Sequence, residues 1–230
     1  MFQKVIFCLL FLFIPLNRAA VNTVANSPFT SSEPVSELAA GELLFEEMEL
    51  GGTVNFIAFR QAVAGYNRIK EKSKPILTLI DFSKPSTEKR FFVFDMEKKK
   101  LLYSSVVAHG RNSGENYATS FSNQYGSYKS SLGFYLTENT YQGGNGYSLI
   151  LNGLEKGIND KAKARSIVVH GAPYANPSVA ASGRLGRSLG CPALPKLARP
   201  IINTIKDGSV MFIYANNPHY LAQSNILHKN

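Results

Sequence analysis

Two residues of this 230-residue chain are of types that can do covalent chemistry together, His170 and, 21 positions later, Cys191. The histidine closes the apolar run Ile167-Val168-Val169. The cysteine follows a glycine-flanked turn, Gly186-Arg187-Ser188-Leu189-Gly190-Cys191-Pro192. A thiol attacks as its thiolate, and a free cysteine is only a few per cent ionised at neutral pH, so a nucleophilic cysteine needs a base nearby. An imidazole can take that proton and later return it to a leaving amine. A histidine at the mouth of a strand is held rigidly, as base catalysis requires. Gly190 leaves room for close backbone approach, and the amides of Gly190 and Cys191 can hold the oxyanion of a tetrahedral intermediate. The plainer alternatives are a cysteine acting as a small buried hydrophobe and a histidine satisfied within the fold. Metal ligation needs three or four ligands at close spacing, and nothing near His170 supplies them.

The surrounding text says what must position this pair. Short runs rich in Val, Phe, Leu and Tyr predict strands at residues 76–80, 91–94, 101–108, 131–137, 147–151, 166–170 and 209–214, with a hairpin turn around Glu97-Lys98-Lys99. Residues 196–206 read as a helix closed by Asp207-Gly208. Upstream, a helical pattern begins at Ser36 and ends at Gly51-Gly52. A second helix is capped by Asn55 and carries Phe56, Phe59, Val63 and Tyr66 on one face. Many short strands with Gly-rich connections predict a mainly β fold with helical additions (α+β), an antiparallel sandwich or barrel. Residues 109–131 and Gly143-Gly144-Asn145-Gly146 lack periodicity, and loops of this kind are often binding surface.

Composition adds a compartment. Lys4, an apolar run from Val5 to Ile14, Pro15 and then Ala19, Ala20 and Ala25 have the layout of a signal peptide. Ten apolar residues are half of the roughly twenty needed to span a bilayer. The organisation expected is therefore a signal peptide at 1–20, a flexible leader at 21–35, a helical segment at 36–72, a catalytic domain at 73–216 and a tail at 217–230. Cys8 leaves with the signal peptide, so one thiol remains and no intramolecular disulfide can form. An unpaired cysteine in an oxidising compartment points to intermolecular pairing or to a working thiol. The formal charge is +9, and loss of Lys4 and Arg18 leaves 23 basic against 16 acidic residues, about +7. That surplus suits an anionic polymer. Export and the absence of a basic stripe argue against nucleic acid, and no cofactor motif is present.

From His170-Gly171 to Ser188-Leu189-Gly190-Cys191 the chain resembles the L,D-transpeptidases of the YkuD type, and within them the murein L,D-transpeptidase catalytic domain family. Asp81-Phe82-Ser83-Lys84-Pro85-Ser86, Val107-Ala108-His109-Gly110, Phe121-Ser122-Asn123 and Ser131-Leu132-Gly133-Phe134-Tyr135 continue the likeness in order, over roughly residues 54–214. The resemblance implies an L,D-transpeptidase-type β sandwich or barrel with Cys191 as nucleophile and His170 as general base. The backbone carbonyl of Gly171 would orient the imidazole, and the Gly190 amide would serve the oxyanion. The implied reaction is acylation of the thiol by a peptidoglycan stem tetrapeptide with loss of its terminal D-Ala. An amine, including that of a lipoprotein acceptor, or water then attacks the acyl-enzyme, with no cofactor or metal. An L,D-carboxypeptidase, an amidase and a binding module without turnover remain alternatives. The setting implied is the periplasm or cell-wall space, without a membrane span. Two positions depart from the broader family, which usually has histidine where Leu189 stands and arginine where Pro192 stands. Arg187, or Arg184, is the candidate to replace that charge. Ser188, His109 and Asn123 complete the candidate substrate contacts.

Overall fold

The computed structural model describes residues 35–228. The expected signal peptide, Cys8 and nearly all of the expected leader lie outside the described residues.

Eight strands form one sheet: β1 (Ile76–Asp81), β2 (Phe91–Asp95), β3 (Lys100–Ser105), β4 (Gly133–Gly143), β5 (Gly146–Gly153), β6 (Val168–Ala172), β7 (Ala193–Pro195) and β8 (Val210–Tyr214). Their order is β3-β2-β1-β8-β4-β5-β6-β7. The sheet curls until it is nearly a closed barrel. An isolated antiparallel bridge from Ala108, just beyond β3, to Ala193 in β7 brings its two edges together. The purely antiparallel expectation needs correction, because β1 pairs with β8 and β6 with β7 in parallel. Parallel neighbours need a long crossover, and the chain supplies one in each case. The second crossover, residues 173–192, ends at the cysteine.

The strands of the sheet centre, β1, β2 and β8, are buried along their whole length, which explains their continuous apolar runs. Edge strand β3 alternates exposed and half-buried residues. The turn at Lys98-Lys99 is shaped by Asp95 Oδ1, which accepts from the amides of Glu97 and Lys98, and Lys99 Nζ pairs with Glu47. The stretch Gly143-Gly144-Asn145-Gly146 has a structural reason for its composition, and Asn145 and Gly146 also border a cavity with Gly171 and Lys196. The stretch is the tight turn of the β4–β5 hairpin, with Gly143 paired to Gly146 and Gly146 at φ +75°, a conformation that favours glycine.

Two helices open the described chain, α1 (Val35–Glu47) and α2 (Phe56–Arg68). Asn55 caps α2 through Oδ1, which accepts from the amides of Ile57 and Ala58. The buried face of α2 carries Phe59, Ala62, Val63 and Tyr66, with Phe59 edge-on to Phe94. Gly65 meets Phe134 so closely that a Cβ there would overlap the ring. Phe134 in turn stacks on Phe212 at 4.2 Å, so α2 is packed onto the middle of the sheet. Truncating a buried phenylalanine of this kind costs about 3–5 kcal/mol.

Beyond β6 come a 3-10 turn at Pro173–Ala175 and the short helix α3 (Pro177–Ala180). Helix α4 (Arg199–Ile205) buries Ile202 and Ile205, and α5 (Pro218–Gln223) follows β8. The expected tail is therefore folded over 218–223. The buried Glu155 carboxylate accepts from the hydroxyls of Tyr220 and Ser224 and, at 2.7 Å, from the Phe134 amide. No helix among the described residues is long and apolar enough to cross a membrane.

Candidate active site

The register of β6 and β7 brings the two candidate groups to one place. His170 is the Cα partner of Ala193, two residues past Cys191. Ala193 also exchanges both backbone hydrogen bonds with Ala108, at 2.8 and 3.1 Å. The turn carrying the cysteine is thus pinned at its C-terminal end between two strand segments. At its other end, the Ser188 amide donates to His109 O at 2.9 Å, and Ser188 O accepts from the Arg111 amide at 2.8 Å.

The imidazole of His170 is 4% exposed. Its Nδ1 lies 3.2 Å from Gly171 O. A carbonyl only accepts, so Nδ1 carries the proton and Nε2 keeps its lone pair, the form a general base needs. Burial holds this imidazole below the ordinary histidine range, although the bond to Gly171 opposes the shift. At neutral pH it is therefore uncharged.

Cys191 is a free thiol, 8% exposed and packed against the main core. Sγ donates to Ser166 O at 3.6 Å and accepts from the Val168 amide at 3.5 Å. Burial pushes the thiol up from its ordinary value, while the Val168 amide and the Arg165 charge oppose that. No hydrogen bond joins Sγ to His170 in the resting site. The pair stands as neutral thiol and neutral imidazole.

The turn is built by serine hydroxyls. Ser188 Oγ donates to Cys191 O at 2.6 Å and accepts from the Gly190 amide at 3.0 Å. Ser188 therefore shapes the turn from inside rather than reaching for substrate. Its bond also occupies the Gly190 amide, which the sequence reading gave to the oxyanion. The Cys191 amide makes no hydrogen bond among the described residues and is the free donor beside Sγ. Ser130 Oγ donates to Gly190 O and accepts from the Gly110 amide, both at 3.0 Å. A Cβ on Gly110 would lie 2.9 Å from Gly190 Cα, so the two glycines pack backbone to backbone.

Gly190 itself has φ +126°, and a Cβ there would stand 2.9 Å from both Lys129 O and Ile167 Cδ1. Gly190→Ala is expected to cost about 1–3 kcal/mol. That lowers Tm by roughly 2–10 °C in a fold of this size. Thermal unfolding of the variant checks this, and an unchanged Tm would mean that the turn relaxes freely.

The remaining expected contacts lie elsewhere. His109 is fully buried, with Nδ1 2.8 Å from Arg90 Nη2 and Nε2 3.3 Å from Gly114 O. Burial first, then the Arg90 charge, pulls its pKa down to about 4. Both of its ring nitrogens are thus engaged inside the fold. It is a neutral brace beneath the 109–115 loop, tied to Arg90, whose other bonds go to the carbonyls of Val107 and Lys84. Asn123 bonds Asp160 Oδ1 at 2.8 Å and accepts from the Lys161 amide. It borders a cavity of about 200 Å³ with Ser131, Asn217 and Tyr220, and the cysteine is not part of that lining. Arg187 Nη1 pairs with Glu115 at 2.6 Å and donates to the carbonyls of Arg111 and Gly114. Arg184 Nε meets the same carboxylate at 3.0 Å. Both arginines thus brace the 111–115 segment, and neither offers an unpaired charge. Leu189 is 58% exposed on the turn, and Pro192 is buried.

Two neighbours of the thiol were not apparent in the sequence. Tyr174, on the 3-10 turn after β6, has its phenol pushed up to about 12, by burial first and then by the charge of an ionised Cys191. Arg165 is the other. It stands in a polar run, Lys161-Ala162-Lys163-Ala164-Arg165, that reads as solvent-facing, and only the fold turns it toward Gly190.

The family model of the L,D-transpeptidase catalytic domain matches residues 51–214. The chain belongs to this family. The matched stretch runs from just before α2 to the end of β8, so it contains the whole sheet of this L,D-transpeptidase domain together with the His170–Cys191 site. No curated protein matches the sequence.

Proposed function

We propose that this L,D-transpeptidase-family protein acts on peptidoglycan through a Cys191 thioester, with His170 as its base and acid. The observation that carries the reading is the His170 Nδ1–Gly171 O bond, which leaves Nε2 open on the strand beside the cysteine turn. The Cys191 side chain turns from Ser166 O toward His170, or a single water bridges them, and Nε2 takes the thiol proton. The thiolate attacks the carbonyl that links the L-centre of the third stem residue to D-Ala. The Cys191 amide stabilises the oxyanion. Collapse breaks the C–N bond, and the imidazolium returns its proton to the leaving D-Ala amine. An acceptor amine then adds to the thioester carbonyl, His170 takes its proton, and the thiolate leaves to be reprotonated.

The acceptor is the amine of a second stem peptide or of a wall-attached lipoprotein. The signal-peptide layout of residues 1–20 supports action in the periplasm or cell-wall space, and the basic surplus of the chain suits an anionic wall. Incubation with purified sacculi followed by muropeptide analysis tests the reading. New cross-linked dimers, or stem peptides whose terminal D-Ala has been replaced by an added amine, are the expected result. Tripeptides alone would make the protein a hydrolase with the same residues. Unchanged muropeptides would leave a binding module and remove the catalytic reading.

A further inference from the structure

Arg165 is half-buried and pairs with no carboxylate among the described residues. Its Nη1 donates to Ser122 O at 2.7 Å and Ser131 Oγ at 3.1 Å. Its Nη2 donates to Lys129 O at 2.6 Å and Ser127 Oγ at 3.3 Å. These bonds engage both Nη groups without neutralising the guanidinium charge, which is always present on arginine. They also fix where the charge sits. Nη2 lies 3.4 Å from the place a Cβ of Gly190 would occupy, on the residue directly before Cys191. The next residue in the chain is Ser166, at φ +55°, whose carbonyl receives the thiol proton. One short segment therefore presents both a cation and an acceptor to the sulfur.

We propose that Arg165 is a positioning residue that supplies the positive charge facing the Cys191 thiolate, held by the 122–131 loop rather than by an acidic partner. This rests on the reading of Cys191 as the nucleophile. The other ionisable groups facing the sulfur carry no charge at neutral pH. Burial keeps Tyr174 protonated, pushed up to about 12, and holds His170 below its ordinary value and neutral. The Lys129 ammonium points away, bonded to Ser120 Oγ at 2.7 Å. Arg187 and Arg184 share Glu115. The charges of Arg165 and Cys191 act on each other in both directions, each favouring the other's ionised form. A charge of this kind stabilises the thiolate at the start of acylation and again when the thioester breaks.

The test is the pH profile of Cys191 alkylation by iodoacetamide, read at Cys191 by peptide mapping because the full chain also carries Cys8. Arg165→Gln is expected to move the midpoint up by about one pH unit, a roughly tenfold slower alkylation at pH 7. Arg165→Lys, which keeps a charge, is expected to recover part of it. Ser127→Ala and Ser131→Ala each remove one brace and no charge, and are expected to leave the midpoint in place. An unchanged profile in Arg165→Gln would overturn the proposal. So would an equal shift in Ser127→Ala or Ser131→Ala, which would make the effect one of loop structure. The measurement needs no turnover, so it separates from the catalytic reading. If wild-type enzyme were alkylated normally yet never acylated by substrate, the nucleophile assignment would fail, whatever Arg165→Gln did to the profile.

Discussion

Cys191→Ala is expected to lower D-Ala release from a stem tetrapeptide by at least about 10⁴-fold, to the level of buffer alone. In a thiol enzyme the covalent step has no substitute, and loss of a nucleophile removes the contribution of the whole catalytic set together. The change removes one sulfur from a site that is already packed, so the fold should persist. Cys191 contributes a bond to Ser166 O and accepts one from Val168. Losing it leaves a small void and an unpaired amide, costing about 1–3 kcal/mol. Liberated D-Ala, quantified by a coupled oxidase assay alongside a thermal melt, measures both. Residual release above about one part in a hundred would mean that another group carries the acyl chain.

His170→Ala is expected to slow acylation about 10²–10⁴-fold with the strand intact, because the His170 side chain bonds only its neighbouring carbonyl while the backbone pairing is unchanged. The pH dependence is the sharper signature. In the wild type the imidazole must be unprotonated to act. Burial holds its pKa below the ordinary value. The acylation rate should therefore be flat across neutrality and fall only as pH drops through that lowered value. In His170→Ala the thiolate must form without a base. Burial holds the thiol above its ordinary value, so the residual rate should climb about tenfold per pH unit into the alkaline range. A variant with the wild-type profile would locate the base elsewhere.

The parts of this fold that were legible in the sequence are those in which local pattern and tertiary role agree. Runs such as Ile76–Ile80, apolar except for Thr78, and Phe91–Phe94 are buried throughout because both faces are covered. Asn55 announces α2, since its side chain does a job that Asn does well. Strand β7 was not foreseen. Its three residues, Ala193-Leu194-Pro195, follow Pro192 and owe their extended form to pairing with His170–Ala172 and Ala108. Helix α5 had its own signal in Asn217 followed by Pro218, with Asn217 Oδ1 accepting from the Tyr220 amide, but it lay in a stretch read as tail. The parallel pairing of β1 with β8 joins segments more than a hundred residues apart, which no local pattern records.

The site divides in the same way. Cys191 and His170 stood out through residue type, spacing and cysteine count. The polar residues around them make bonds within the fold that their types alone do not announce. His109 and Ser188 look like contact residues in sequence, and both are buried fasteners whose hydrogen bonds hold the cysteine turn. Arg187 and Arg184 look like anion readers and are occupied by Glu115. Arg165 carries no signal within its polar run and reaches the turn only through the fold. Polar side chains that tie a loop to itself and those that grip a ligand have the same composition. Only partners and burial separate them.

The central claim is that Cys191 is the nucleophile of this L,D-transpeptidase-family protein. Intact-mass spectrometry of the wild-type protein after incubation with a carbapenem tests it most directly, followed by peptide mapping. One adduct per chain, located on Cys191 and absent from Cys191→Ala, is the expected result. A wild-type protein that emerges unmodified, or modified at another residue, would contradict it.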